Sequence, residues 1–389
     1  MNRCCRDKSI LLTVLIPAYN AADCLEKCIF SLLPYEYPDS DRLEILIVND
    51  GSKDNTLNVA TELAERHEQI RIIDKENGGH GSTINVGIKQ AKGKYFRIID
   101  SDDWVDSANF IKFLKLLHTT DADLVLTDAA YEFIDVKALR PYVSYDMEKN
   151  VTMSFSDILK KAEPFNKFGP VLASSTYKLC KLQEAAFKIT EHSAYVDMEF
   201  NAFAIKNIDT IIYYDLDIYR YMIGREGQSV SVQVWMKKYK EHESILFNLI
   251  KYIENEILPD EKNAYIINKL ISPMVDSQVF MYDQICKLDE LKEFLKELSV
   301  HENIYATSMS YIFGKNGDCK TILNQLDSCL SKNNNGPIIK TLVSVQNSKD
   351  SETKDEYHKL QLFHFIKKAI KYILPYGVIR LYQKKKYGF

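Results

Sequence analysis

Asp100-Ser101-Asp102-Asp103 sets three carboxylates at the end of a short apolar run, Tyr95 to Ile99. Carboxylates this close repel one another, and a hard divalent cation among them removes that cost. The same residues can instead form an acidic turn that caps the following helix, since Asp is common at helix N-termini. Three more polar clusters end apolar runs upstream: Pro17-Ala18-Tyr19-Asn20, Asn49-Asp50-Gly51-Ser52 and Lys75-Glu76-Asn77-Gly78-Gly79. Tyr19 offers either a flat face for a nucleobase or an ordinary packing surface. Asp50 can accept from a base-edge N–H such as that of uracil, or serve the Gly51-Ser52 turn. Gly78, Gly79 and Gly81 let the backbone approach a ligand closely or adopt positive φ.

The elements that must position these clusters alternate. Strands are expected at Leu12–Ile16, Leu43–Val48, Ile70–Asp74, Tyr95–Ile99 and Asp123–Thr127. Helices are expected at Ala22–Leu33, Thr56–Glu68, Thr83–Lys92 and Asn109–His118, which predicts a parallel sheet covered by helices. In such a sheet ligands gather at the carboxyl ends of the strands, so the four clusters share one crevice. After Asp128 the alternation breaks. Tyr131–Val151 reads as irregular strands and loops, Ser156–Ala162 as a short helix, Pro170–Lys178 as extended and Val196–Lys206 as an amphipathic helix. Strands return at Thr210–Tyr214 and Ile218–Ile223. Beyond Trp235 the pattern is helical, clearest at Tyr239–Glu256, Lys262–Gln284 and Leu288–Leu298.

With 389 residues, 46% of them hydrophobic, the chain is long enough for two domains and a substantial core. A net charge of −4 gives no global pull toward nucleic acid, and no nucleic-acid partner is expected. Eight scattered cysteines without a Cys-x-x-Cys pair fit a reducing cytosol rather than a disulfide framework or a zinc site. The run Ile10 to Ile16 behind Arg3 and Arg6 superficially resembles a secretory leader, but its brevity and its stop at Pro17 read as a buried strand. No stretch approaches the ~20 apolar residues of a membrane span. Neither a Gly-x-x-x-x-Gly-Lys-Ser/Thr loop nor a Gly-x-Gly-x-x-Gly turn after the first strand is present, which argues against P-loop nucleotidases and dinucleotide dehydrogenases.

The order and spacing of Val14-Leu15-Ile16-Pro17-Ala18-Tyr19-Asn20, of Ile47 to Thr56, of Asn77-Gly78-Gly79 and of Ile99-Asp100-Ser101-Asp102-Asp103 resemble the family 2 glycosyltransferases. The resemblance implies an α/β GT-A nucleotide-diphospho-sugar transferase fold, a Rossmann-like mixed sheet followed by a C-terminal helical region. It also implies a UDP-sugar donor and inverting transfer of a hexose or N-acetylhexosamine, assisted by Mg²⁺ or Mn²⁺, to a glycan or lipid-linked hydroxyl in cell-surface polysaccharide synthesis. Donor contacts then fall to Pro17, Tyr19, Asn20, Asp50, Lys75, Asn77, Gly78, Gly79, Asp100, Ser101 and Arg225, and the metal to Asp102 and Asp103. In Gly81-Ser82-Thr83-Ile84-Asn85-Val86-Gly87, Ile84 stands where many relatives carry arginine, which leaves Lys75 or His80 to make its contact.

Inversion needs a base on the far face of the sugar. The family pattern of Glu-Asp with a phenylalanine three residues after the Asp corresponds to Val196-Asp197-Met198-Glu199-Phe200, placing Asp197 on the base position. Glu199 is the alternative, with Glu191 and His192 more distant. On a helix Asp197 and Glu199 point roughly 200° apart, so only one faces the sugar. Tyr219-Arg220-Tyr221 and Arg225 to Ser231 resemble the family's closing segment near the diphosphate, and Arg225 is equally compatible with a solvent-exposed turn.

The resulting domain expectation is 1–235 for the GT-A domain, with 1–127 its nucleotide-binding half and 128–235 its acceptor half. A helical domain at 236–345, a linker or loop at 346–356 and a basic amphipathic tail at 357–389 follow. The tail places Lys367, Lys368, Lys371 and Lys384 to Lys386 among aliphatic and aromatic residues, which suits an anionic membrane surface as well as a helix docked on its own domain. A cytoplasmic protein, peripheral at the inner face of the plasma membrane, is the expectation. A catalytically inactive GT-A domain that binds a glycan or partner is the alternative.

Overall fold

The computed structural model describes residues 10–33, 42–133, 138–161, 165, 169–223, 232–285 and 287–313. Arg225, the stretch 346–356 and the basic tail 357–389 lie outside the described residues. The chain divides into two compact units, Met1–Ile223 with Leu258–Lys262, and Gly224–Ile257 with Asn263–Phe389.

The first unit opens with β1 (Leu12–Ala18), α1 (Leu25–Leu32), β2 (Leu43–Asp50), α2 (Thr56–Arg66), β3 (Ile70–Lys75), α3 (His80–Gln90) and β4 (Tyr95–Ile98). β1 lies between β2 and β4 with parallel pairing on both sides, so the apolar run that superficially resembled a leader is a central strand buried on both faces. α1 buries Leu25, Cys28, Ile29 and Leu32, the i, i+3, i+4, i+7 stripe of a helix packed on a sheet.

β5 (Trp104–Val105), α4 (Ser107–Leu117), β6 (Leu124–Phe133), β7 (Ala138–Val143), β8 (Met153–Ser154) and α5 (Phe155–Leu159) come next. Asp106 caps α4, accepting the Asn109 N–H at 2.9 Å. The unit closes with β9 (Ser175–Lys178), α6 (Leu179–Ala185), α7 (Val196–Ala204) and β10 (Thr210–Ile223). The sheet order is β3-β2-β1-β4-β9-β6-β10-β5, with β7 on β6 and β8 on β10.

The sheet is mixed, not purely parallel, because β9 enters antiparallel between β4 and β6. Tyr131–Val151, expected as irregular strands and loops, continues β6 to Phe133 and adds β7. The two strands expected between Thr210 and Ile223 are one, β10, whose register slips around Asp217. β1 and β4 are neighbours although β2 and β3 run off the other way, so the sheet reverses direction at this pair and opens a crevice at its carboxyl end.

The second unit holds α8 (Val232–Lys237), α9 (Tyr239–Asn255), the later part of α10 (Asp260–Ile266), whose first residues belong to the first unit, then α11 (Ser272–Gln284), α12 (Leu288–Leu298) and α13 (Glu302–Phe313). A π-helical turn, Ile267–Ile271, joins α10 to α11 where one continuous helix was expected. The core contains Ile245, Leu249, Val275, Met281, Phe294 and Leu298. Buried His242 shares a 2.6 Å hydrogen bond with Gln278, and burial pushes its pKa down to about 4.

Candidate active site

The loops after β1, β2 and β3 are fastened to one another by their own polar groups. Asn20, at φ 51°, donates its N–H to Ser52 Oγ at 3.0 Å and accepts the Lys53 N–H at 2.8 Å. Ser52 in turn donates to Asn49 Oδ1 at 2.6 Å, and Asn49 donates to Asp74 Oδ1 at 2.6 Å. Tyr19 beside them is 49% exposed, so its ring is open to a stacking partner rather than packed in the core.

Asp50 corrects its sequence reading. The residue is buried, and its Oδ1 accepts from Lys75 Nζ at 2.6 Å and from the Gly78 N–H at 2.9 Å. Its Oδ2 accepts from Asn77 at 3.1 Å and from the Gly79 N–H at 2.8 Å. A carboxylate offers roughly four lone-pair positions, and these are filled by the loop. Asp50 therefore shapes the loop at 75–79 instead of facing a base edge, and Lys75 and Asn77 are held with it.

The loop delivers Gly79, at φ 82°, to the N-terminus of α3. A side chain at Gly81 would lie 2.1 Å from the Thr190 carbonyl oxygen, so only glycine lets α3 approach the segment at 189–193. That segment is stitched down by Asn85, which donates to the Ile189 carbonyl at 2.9 Å and accepts the Ile189 N–H at 2.8 Å. The His192 N–H also donates to the Gly78 carbonyl at 2.6 Å. His192 and Tyr195 both adopt positive φ, at 54° and 62°, a strained approach to the first turn of α7.

Asp197 and Glu199 part company on α7 as helical geometry requires. Glu199 is buried and accepts the Thr190 N–H and hydroxyl, each at 2.8 Å. It anchors the loop, which contradicts its reading as the alternative base. Asp197 keeps solvent contact, yet protein crowds its carboxyl. Desolvation raises its pKa, with His80 opposing and Asp100 reinforcing the shift. Asp197, His80 and Asp100 thus feel one another from α7, α3 and the end of β4.

At the aspartate turn the Asp103 N–H bonds the Asp100 carbonyl at 3.0 Å. Asp103 corrects a second expectation. Its carboxyl is 1% exposed, accepts the Tyr219 hydroxyl and, at 2.9 Å, the Met222 N–H, and is pushed up to about 9 by burial, then by Asp100 and Asp102. It ties the turn to β10 and does not stand beside Asp102 as a second metal ligand. Ser101 is buried. Asp100 remains 38% exposed, and its pKa is raised by desolvation and by Asp102 against the pull of His80, whose Nε2 lies 3.8 Å away. That Nε2 is buried without a hydrogen-bond partner among the described residues.

Among the described residues no group of three or more His, Cys, Asp and Glu side chains forms a metal cage. Asp100 and Asp102, like charges crowded in a partly desolvated turn, fit a cation that takes its remaining ligands from phosphate and water, as Mg²⁺ sites usually do.

Sequence reasoning placed Tyr219 in a closing segment near the diphosphate without its partner Asp103, and it missed Arg97. Arg97 is fully buried on β4, donating to Thr127, Thr176 and the Ala173 carbonyl, and burial lowers its pKa to about 10. Nothing in the local pattern distinguishes it from a surface arginine.

This crevice, at the reversal point of a mixed sheet and edged by an Asp-x-Asp turn, defines the GT-A class. Residues 13–175 match the family model described as Glycosyl transferase family 2. Over that stretch the chain is similar to the family 2 glycosyltransferases. EpsJ of Bacillus subtilis (strain 168), an uncharacterized glycosyltransferase, is 38% identical over 115 residues, 30% of this chain and 33% of EpsJ. EpsH of the same organism is 27% identical over 288 residues, covering 72% of this chain and 77% of EpsH. A crystal structure of S. aureus TarS 1-349 in complex with UDP-GlcNAc superposes with a TM-score of 0.57 at 18% identity, covering 83% of this chain and 92% of TarS 1-349. The chain thus spans only about a third of the first of these curated relatives.

Among the described residues no helix is long and apolar enough to cross a membrane.

Proposed function

We propose that the chain is an inverting, metal-dependent glycosyltransferase. It moves a hexose or N-acetylhexosamine from a UDP-sugar to a hydroxyl of a glycan or lipid-linked acceptor in cell-surface polysaccharide synthesis. The observation that carries this reading is the meeting of Asp197, His80 and Asp100 in one crevice at the carboxyl end of the sheet. UDP-GlcNAc bound to the TarS structure supports a nucleotide-sugar donor. The free cysteines Cys24, Cys28 and Cys180 agree with the cytoplasmic location in the proposal.

In this mechanism Tyr19 stacks on the base, and the Asp50-ordered loop presents the backbone of Gly78 and Gly79 to the donor. Asp100 and Asp102 would hold Mg²⁺ or Mn²⁺, which when bound would supply Lewis-acid neutralisation of the leaving diphosphate. Asp197 takes the proton from the acceptor hydroxyl as the hydroxyl oxygen bonds to the anomeric carbon and the bond to the diphosphate breaks. Its raised pKa makes it a better base than an ordinary aspartate, and His80 opposes that rise.

The test is UDP release from a panel of UDP-sugars with Mg²⁺ or Mn²⁺. Hydrolysis of a particular donor, lost with a chelator and in Asp102→Asn, is the expected result. No turnover of any donor, with no nucleotide bound, overturns the reading.

A further inference from the structure

β6 and β10 run past the carboxyl edge of the sheet. Leu124 to Leu126 of β6 pair with β9, and the strand then continues to Phe133 with β7 as its neighbour on that side. Tyr131 sits in this overhang, in register with Tyr221 on β10 and with Arg140 on β7. The β6–β7 pairing slips between Ala129, opposite Val143, and Ala130, opposite Pro141, so Tyr142 is the extra residue of a β-bulge. Bulges re-aim side chains and are frequent beside active sites. Here the ring of Tyr142 comes to 4.5 Å from that of Tyr131 and 5.7 Å from that of Tyr221, and Tyr131 and Tyr221 are 5.7 Å apart.

Three rings from three adjacent strands thus form a triangle, and all three side chains are only half-buried. A packing cluster would be covered, as Tyr145 and Tyr213 are nearby. Tyr221 shares its strand face with Tyr219, two residues earlier, whose hydroxyl reaches Asp103. The platform therefore stands on the same face as the aspartate turn. The charges of Asp197 and Asp103 reach Tyr142, and those of Asp103, Asp100 and Asp102 reach Tyr221, adding to the upward shifts that burial causes. All three phenols stay protonated at neutral pH, with Tyr131 pushed up to about 12 by burial, and each can donate to a hydroxyl.

We propose that Tyr131, Tyr142 and Tyr221 form the binding platform for a pyranose ring of the acceptor, held beside Asp197. This rests on the transfer reading above. The electron-rich ring faces attract the polarised C–H face of a sugar, and the phenolic rims meet its hydroxyls. Three uncharged phenols offer ring faces and hydroxyls rather than charge, which suits a neutral glycan.

The test is saturation-transfer NMR on the full chain, with and without UDP and Mn²⁺. The probes are methyl α- and β-glycosides of glucose, galactose, mannose, N-acetylglucosamine and N-acetylgalactosamine. Saturation of ring C–H protons of at least one glycoside is expected. Its affinity should fall about tenfold or more in Tyr142→Ala and in Tyr221→Leu, the size of one lost aromatic partner, and stay within about threefold in Tyr142→Phe, which keeps the face. Thermal melting of each variant checks folding. Absence of any glycoside signal, or equal affinity in wild type and Tyr142→Ala, overturns the platform. UDP binding alongside either result leaves the donor reading standing, and glycoside binding without UDP binding supports the platform while removing that reading.

Discussion

The two sides of the crevice are built on opposite principles. On the side of β1, β2 and β3, buried polar groups satisfy one another: Asp50 is filled by Lys75, Asn77, Gly78 and Gly79, and Asn20 bridges the first two loops. On the side of β4 and α7, protein crowds the carboxyls of Asp100 and Asp197 and raises both pKa values, Asp102 adding to the first and Asp100 to the second, and His80 Nε2 lacks a hydrogen bond among the described residues. A satisfied network fixes shape, whereas crowded like charges store electrostatic cost that a cationic or proton-giving ligand relieves. The saturated side is scaffold and the strained side is where chemistry is expected.

Substitutions sharpen this contrast. Asp197→Asn should lower transfer by about 10²–10⁴-fold while leaving the melting temperature and UDP affinity near wild type. Equal loss of UDP binding would break the division of labour. Asp50→Ala should instead cost about 3–5 kcal/mol of stability in denaturant titrations, because it strands Lys75 and the loop N–H groups. A stable Asp50→Ala that fails only in donor binding would return Asp50 to the ligand side.

Gly81→Ala should cost about 1–3 kcal/mol and slow transfer as well, since the new methyl group pushes the Thr190 carbonyl and the loop that aims Asp197. A neutral result would show that α3 and the 189–193 segment adjust freely.

pH separates the helical unit from the crevice. His242 is held near pKa 4 when folded against ~6.5 when unfolded, so its contribution is present above about pH 6.5 and is lost as pH falls toward 4. The loss amounts to about 3 kcal/mol, read by hydrogen exchange in α9, and is absent in His242→Gln. Asp103 runs the other way. Its folded pKa is raised to about 9, so its contribution is full below about pH 4 and is lost as pH rises through 9 in metal-free buffer.

Much of this architecture was legible because parallel strands buried on both faces read as apolar runs, and the polar residues that end them must sit at one edge. Val14 to Asn20 and Ile99 to Asp103 are of this kind. Side-chain direction from a turn was not legible. Whether Asp103 looks outward or inward depends on Tyr219 and Met222, more than a hundred positions later. Asp50 likewise reads as an open acceptor until the loop at 75–79 is folded over it. β10 was divided in the sequence because Asp215 and Asp217 interrupt its apolar pattern, and Tyr142 was passed over because a bulge leaves no mark in composition.

The central claim is that Asp100 and Asp102 complete a cation site only together with a nucleotide diphosphate. Calorimetric titration of UDP into the full chain, with Mn²⁺ or with a chelator, tests it most directly. The account predicts that Mn²⁺ tightens UDP binding at least about tenfold in wild type, about 1.4 kcal/mol of coupling, and that the coupling vanishes in Asp102→Asn while metal-free UDP affinity is unchanged. UDP affinity that is the same with Mn²⁺ and with chelator in the wild-type protein would contradict it.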